Sequence, residues 1–187
     1  MDIENIHKSS KILIDGIPYN VVDAEFVKPG KGRAIYRLRL MNLRDNTTLD
    51  RTYHSGEKVD EAQISAREEQ YLYSDQDDFI FMDTTSFEQH HIPATLIGDK
   101  KYYLKEGAIA TMLMLGDEII DVNPPTFIEV AIVESAGSSK TDTITGQGKQ
   151  ATVETGLTVD VPIFVKEGDI IKVDTRTGRY VERVTKK

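Results

Sequence analysis

The feature that most constrains this chain is the shortness of its apolar runs. No window carries an amphipathic stripe long enough for an ordinary helix; short apolar runs recur instead, each closed by Gly, Pro, Asn or Asp. Lys11-Ile12-Leu13-Ile14 faces Pro18-Tyr19-Asn20-Val21-Val22 across Asp15-Gly16, a pair suited to the two positive φ angles of a tight hairpin. Residues 34–43 alternate, with Ala34, Tyr36, Leu38 and Leu40 on one side and Ile35, Arg37, Arg39 and Met41 on the other. Residues 71–73 and 79–82 read as a second hairpin, and 109–115 and 119–122 as a third over Gly116-Asp117. After Asn123-Pro124-Pro125, which cannot continue a ladder, strands are expected at 127–133, 151–153, 157–161, 163–165, 170–173 and 180–184. Residues 56–69 are polar enough for a linker. Residues 84–107 read as irregular, with helical turns near 86–89 and 94–97, and the Gly- and Thr-rich stretch 135–150 as a long loop. Short strands at this spacing make small barrels. The chain is therefore expected to be all-β, with three barrels at 1–62, 63–126 and 127–187.

The charge is unevenly spread. The total is −8, yet residues 1–62 hold 10 basic and 10 acidic side chains, 63–126 hold 4 and 12, and 127–187 hold 9 and 9. The whole excess sits in the middle third. Within the first third, Lys28, Lys31, Arg33, Arg37, Arg39 and Arg44 follow one another with no acid from Phe26 to Arg44. A local basic stripe suits phosphate contact whatever the total charge; it also fits a solvated strand face. With no Cys there are no disulfides, thiol nucleophiles or thiolate metal sites. No stretch approaches the roughly 20 apolar residues of a membrane span, and the acidic start Met1-Asp2-Ile3-Glu4 is unlike a signal peptide. These features point to a cytoplasmic protein with no membrane partner.

Lys28-Pro29-Gly30-Lys31-Gly32-Arg33 lies between two strand patterns. Pro29-Gly30 fits the centre of a type II turn, which would put Gly30 at positive φ. Gly32 adds a second permissive point, so Lys31 stands at a tip with no bulky neighbour in sequence.

Other motifs carry little. Gly146-Gln147-Gly148-Lys149 is too short for a phosphate loop, and Gln150 stands where Ser or Thr would bind Mg²⁺. The adjacent His90 and His91 point apart in a strand, and Asp75, Asp77 and Asp78 lack the rest of a calcium loop. No catalytic triad or carboxylate pair has support, so neither an enzyme nor a bound cofactor or metal is expected.

From Glu25-Phe26-Val27-Lys28-Pro29-Gly30-Lys31-Gly32, through Tyr71-Leu72-Tyr73, Phe81-Met82-Asp83 and Phe87-Glu88-Gln89, the sequence resembles the bacterial elongation factor P family. The likeness is strongest in Val161-Pro162-Ile163-Phe164-Val165, Gly168-Asp169 and Ile171-Lys172-Val173-Asp174-Thr175-Arg176-Thr177-Gly178, with Tyr180 and Arg183 after them. It implies an SH3-like (KOW-like) barrel followed by two OB-fold barrels, in a bent, tRNA-like shape. It also implies a monomeric, non-enzymatic translation factor that binds both ribosomal subunits beside the P-site peptidyl-tRNA and relieves stalls at consecutive prolines. Lys31 matches the tip lysine that reaches the tRNA acceptor end, a position that a lysine-modifying enzyme extends in many members. Lys28, Pro29, Gly30, Gly32 and Arg33 would form the tip loop, and Lys28, Arg33, Arg37 and Arg39 would face RNA phosphates. Thr141, Asp142 and Thr143 occupy the element that touches the E-site codon, with Thr141 where the family carries glycine. Tyr180 and Arg183 resemble residues that face tRNA or the small subunit. A paralogue serving other stalls, and a general OB/SH3-like RNA-binding module, are the alternatives.

Overall fold

The computed structural model describes residues 1–30, 32–135 and 148–184. Its strands form three five-stranded sheets. The chain also divides into two compact units, Met1–Arg67 with Met112–Asp121, and Glu68–Thr111 with Val122–Lys187.

The first sheet holds β1 (Lys11–Ile14), β2 (Ile17–Val27), β3 (Ile35–Asn42), β4 (Thr48–His54) and β5 (Asp60–Glu61), in the order β4-β3-β2-β1-β5. The expected first hairpin forms as read: Asp15 and Gly16 take φ of 52° and 78°, and Ile14 pairs with Ile17. Ile3, Ile12, Val21, Leu38 and Leu40 are almost wholly buried in its core, flanked by Tyr19, Tyr53 and Val59. One irregularity sets the side-chain directions. Val21 pairs with Leu40 but Asp23 with Arg39, so Val22 is a bulge. Strand alternation restarts there. Tyr19 and Val21 face the core before it; Ala24 and Phe26 take the core face after it, and Asp23 and Glu25 turn outward.

The second sheet is β10-β9-β6-β7-β8, from β6 (Ile64–Asp75), β7 (Asp78–Asp83), β8 (Gln89–Pro93), β9 (Ile109–Leu115) and β10 (Glu118–Asn123). Two expectations fail here. Residues 56–69 are not a linker, because β5 pairs with β1 and β6 begins at Ile64. Alternation there is masked by Glu and Arg on the outer face, while Glu69 is buried. Residues 86–89 are no helical turn: the Asp83 carboxylate accepts from the Thr85 and Ser86 N–H groups and closes a loop, and Gln89 begins β8. Further on, α1 (Ala94–Ile97) forms where a helical turn was expected and passes into a 3₁₀ turn.

The third sheet is β13-β12-β11-β14-β15, from β11 (Phe127–Ser135), β12 (Gly148–Val153), β13 (Thr158–Pro162), β14 (Ile170–Asp174) and β15 (Arg179–Val184). Its core includes Val130, Ile132, Val153, Val165, Ile171 and Val173. Residues 163–165 are not a strand. Pro162 has no N–H to extend the ladder, and the Val165 N–H returns to the Pro162 carbonyl at 3.0 Å. Val165 is buried, while Ile163 and Phe164 stay exposed.

Within the second unit, the Lys105 ammonium lies 2.8 Å from the Glu154 carboxylate, which also accepts from the Ala131 N–H at 2.9 Å. Thr155 donates to the Tyr102 carbonyl at 2.7 Å. Gly178 has φ of 68°, and a Cβ there would meet the Tyr103 hydroxyl at 2.9 Å, so a side chain at 178 would strain the backbone and displace that hydroxyl.

Burial pushes the Glu154 carboxyl up, but the Lys105 ammonium and the Ala131 N–H outweigh it and hold the group below the usual glutamate range. A carboxyl depressed on folding contributes stability above its unfolded pKa, and loses it as pH falls through the folded value. Glu154→Gln should therefore melt below wild type at neutral pH. The two melting curves should converge as pH drops beneath the ordinary glutamate range. A gap unchanged by acid would show that the carboxylate contributes no charge-dependent stability.

Candidate nucleic-acid interface

The β2–β3 hairpin runs past the core of the first sheet as an arm. Its rungs are Ala24–Leu38, Glu25–Arg37, Phe26–Tyr36 and Val27–Ile35. Leu38 is 1% exposed; two rungs outward Phe26 is 56% exposed. The arm therefore carries core-facing positions beyond the point where the core covers them.

At the end of the arm, Lys28, Gly30, Gly32 and Arg33 are exposed and Pro29 is half-buried. Lys31 lies outside the described residues. The turn differs from expectation. Gly30 does not take a positive φ; Gly32 does, at 113°. Pro29 sets its own φ only, and the left-handed step falls at the second glycine. An added Cβ at Gly30 would meet nothing within 4 Å, and one at Gly32 only the Pro29 ring, at 3.9 Å. The loop is thus open on the sides that can be described.

The basic stripe divides in two. Arg39 lies between Asp23 and Asp50 in the strand register, with its Nε 3.1 Å from Asp50, whose carboxylate raises the guanidinium pKa. Arg37 lies between Glu25 and Thr52, and its guanidinium is 3.7 Å from Glu25. Arg44 makes a two-pronged pair with Glu118, at 2.8 and 3.0 Å. Lys28 and Arg33 have no carboxylate within ion-pair distance among the described residues. The stripe is a run of one sign along the chain; across the sheet its inner half is neutralised and its outer half is not. Acids on β2, β4 and β10, distant in sequence, do the neutralising.

The sequence reading missed the aromatic pair beside those two cations. The Phe26 and Tyr36 rings lie 5.0 Å apart, tilted by 48°. They line an open cleft of about 810 Å³ together with Lys28, Arg33, Glu4, Ser55 and Glu57. The signal was present: Phe26 and Tyr36 would share a face in any register that paired them.

In the third sheet, Tyr180 packs against the core. Arg183 is exposed, with its guanidinium 5.6 Å from the Phe164 ring and 3.5 Å from Asp169. Asp169 is held below the usual aspartate range, first by the Lys166 N–H and then by Arg183. Both residues lie on β15. Thr141, Asp142 and Thr143 lie outside the described residues. Lys149 belongs to β12 and donates to Ser135 at 3.2 Å. His90 meets the buried Glu69 at 3.0 Å and His91 meets Asp78 at 3.6 Å, each in its own pair. No three metal-ligating side chains converge among the described residues. No helix among them is long and apolar enough to cross a membrane.

Comparison with known proteins covers nearly the whole chain. Residues 2–59 match the elongation factor P KOW-like domain, 64–122 its OB domain and 128–183 its C-terminal domain. Elongation factor P of Coprothermobacter proteolyticus is 43% identical over 171 residues, covering 91% of this chain and 92% of that protein. That of Desulforapulum autotrophicum is 42% identical over 183 residues, covering 98% of each. Among solved structures, a eukaryotic translation initiation factor 5A from Methanococcus jannaschii superposes with a TM-score of 0.52 at 24% identity, over 65% of this chain and 94% of that one, which shows a shared fold. With matches in order along the chain and relatives above 40% identity over nine-tenths of it, the chain belongs to the elongation factor P family of non-enzymatic translation factors.

Proposed function

We propose that this protein acts in the cytoplasm as a monomer, binding the ribosome beside the P-site peptidyl-tRNA and promoting peptide bond formation at consecutive prolines. The observation that carries the reading is the arm itself: Lys28 and Arg33, two cations without an ion-pair partner among the described residues, stand in sequence on either side of the glycines that bracket Lys31. Proline is a poor partner in peptide bond formation because its ring restricts approach. Holding two reactants in a near-attack geometry lowers a barrier by up to roughly 7–11 kcal/mol. The ribosome stays the catalyst. The arm supplies position: Lys28 and Arg33 hold phosphates of the tRNA, and Lys31, with or without covalent extension, steadies its acceptor end. Arg37 and Arg39 are already engaged by acids, so a phosphate there must compete with Glu25 and Asp50. Arg183, stacked on Phe164 and anchored by Asp169, is presented for tRNA or the small subunit. Tyr180 serves chiefly as core. Thr141, Asp142 and Thr143 approach the E-site codon.

In-vitro synthesis of a reporter with three consecutive prolines, beside a proline-free control, tests this directly. The protein should relieve the first and leave the second unchanged. Lys31→Ala should abolish relief at an unchanged melting temperature; wild-type relief by that variant would overturn the role of the tip. Intact mass of protein from its native host would reveal any group added to Lys31.

The split stripe makes a second prediction. Ribosome affinity should fall steeply with salt. Lys28→Ala or Arg33→Ala should each reduce the slope of log affinity against log salt by about 1, and Arg37→Ala or Arg39→Ala by clearly less. Equal slope changes for all four would show that the cross-strand pairs open on binding.

A further inference from the structure

We propose that the cleft at the base of the tip arm binds one unpaired RNA nucleotide, its base on Phe26, its phosphate at Lys28 and Arg33, and its ribose hydroxyl at the carboxylates of Glu4 and Glu57. The proposal deepens the reading above and rests on it in taking RNA as the partner.

Three features of the cleft require three chemistries at once. First, the Phe26 ring lies at a core-facing position with no core over it, 56% exposed and backed by Tyr36 at 5.0 Å. A flat, π-bearing ligand covers such a ring, and base stacking on an aromatic side chain is the usual means by which unpaired nucleotides are held. Second, Lys28 and Arg33, both in the lining, are cations without a carboxylate partner among the described residues. They take an anion without breaking an existing pair. Third, the same lining carries two carboxylates, Glu4 and Glu57. Glu4 accepts from Ser55 at 2.5 Å through Oε1, and Glu57 meets His54 at 3.3 Å through Oε1, so each keeps a second oxygen unengaged in these contacts. A carboxylate oxygen there accepts a hydroxyl hydrogen and repels a phosphate.

The polarity of the cleft selects among occupants. A duplex offers no base face to Phe26. A basic peptide is repelled by Lys28 and Arg33, and an acidic one by Glu4 and Glu57. A single-stranded DNA satisfies the ring and the cations but presents no 2′-hydroxyl to the two carboxylates. An RNA nucleotide supplies aromatic face, anion and hydroxyl donor in one unit.

Fluorescence anisotropy and amide NMR shifts of the full chain, titrated with a mixed-sequence ribohexamer, its deoxy counterpart and an RNA duplex, test the proposal. The ribohexamer should bind tightest, with shifts at Phe26, Arg33 and Tyr36. Phe26→Ala should weaken it about 5- to 100-fold, without lowering the melting temperature, since Phe26 lies outside the core. Phe87→Ala, which removes an exposed aromatic of the loop between β7 and β8, should bind as wild type. Glu57→Gln should erase the preference for ribose over deoxyribose. Equal binding of the duplex, shifts confined to other surfaces, no detectable binding, or an unchanged Phe26→Ala each overturns the proposal. If the hexamer fails while the proline reporter is still relieved, the nucleotide site falls and the stall-relief reading stands; if the reporter fails while the hexamer binds at Phe26, the reverse holds.

Discussion

The geometry of the tip arm depends on one extra residue in one strand. Val22 is a bulge between Val21, which pairs with Leu40, and Asp23, which pairs with Arg39. Side chains alternate strictly along a strand, so a one-residue slip exchanges the two faces. Were β2 regular, Asp23 and Glu25 would share a face with the buried Val21. The bulge sends them to the solvent side instead, opposite Arg39 and Arg37, and gives the core side to Ala24 and Phe26. The paired arginines and the uncovered Phe26–Tyr36 rung both follow from that switch.

The electrostatics of the arm follow from the same register. A phosphate-binding surface needs cations whose charge is not already spent, and the count along the chain does not report this. Arg37 and Arg39 face acids on neighbouring strands; Lys28 and Arg33 stand beyond the last paired rung, and among the described residues no acid lies within ion-pair distance of either. Exposed pairs of this kind contribute little to stability. Their larger effect is on binding, since they set which cations meet RNA without competition. The net charge of −8 does not describe the arm, because the acidic excess belongs to residues 63–126, whereas residues 1–62 hold as many basic as acidic side chains.

Much of the fold was legible where local chemistry decides it. Asp15-Gly16 required a two-residue hairpin, and the alternation from Ala34 to Met41 placed Leu38 and Leu40 inward and Arg37 and Arg39 outward, as found. Where the reading failed, a longer-range partner decided. β5 is two acidic residues that are a strand only because β1 lies beside them. The beginning of β6 looks like a linker because its outer face is charged. Ile163 and Phe164 look like strand residues, yet Pro162 ends the ladder and only Val165 reaches the core. Lys28, Arg33 and the glycine-lined tip could be picked out from spacing, but the glycine that takes the positive φ could not, since both glycines permit it.

The sequence by itself determined that the chain is built of short strands and tight turns, that a lysine stands between two glycines at a hairpin end, and that its family likeness runs through all three segments. These follow from residue-by-residue preferences and from motif order, which need no partner in space. Only the tertiary structure decided which cations are neutralised and which are left, and that Phe26 and Tyr36 form one surface. The reason is physical. Charge pairing and ring contact act across strands, over a few ångströms set by register, and one bulged residue moves that register without leaving a mark in local composition.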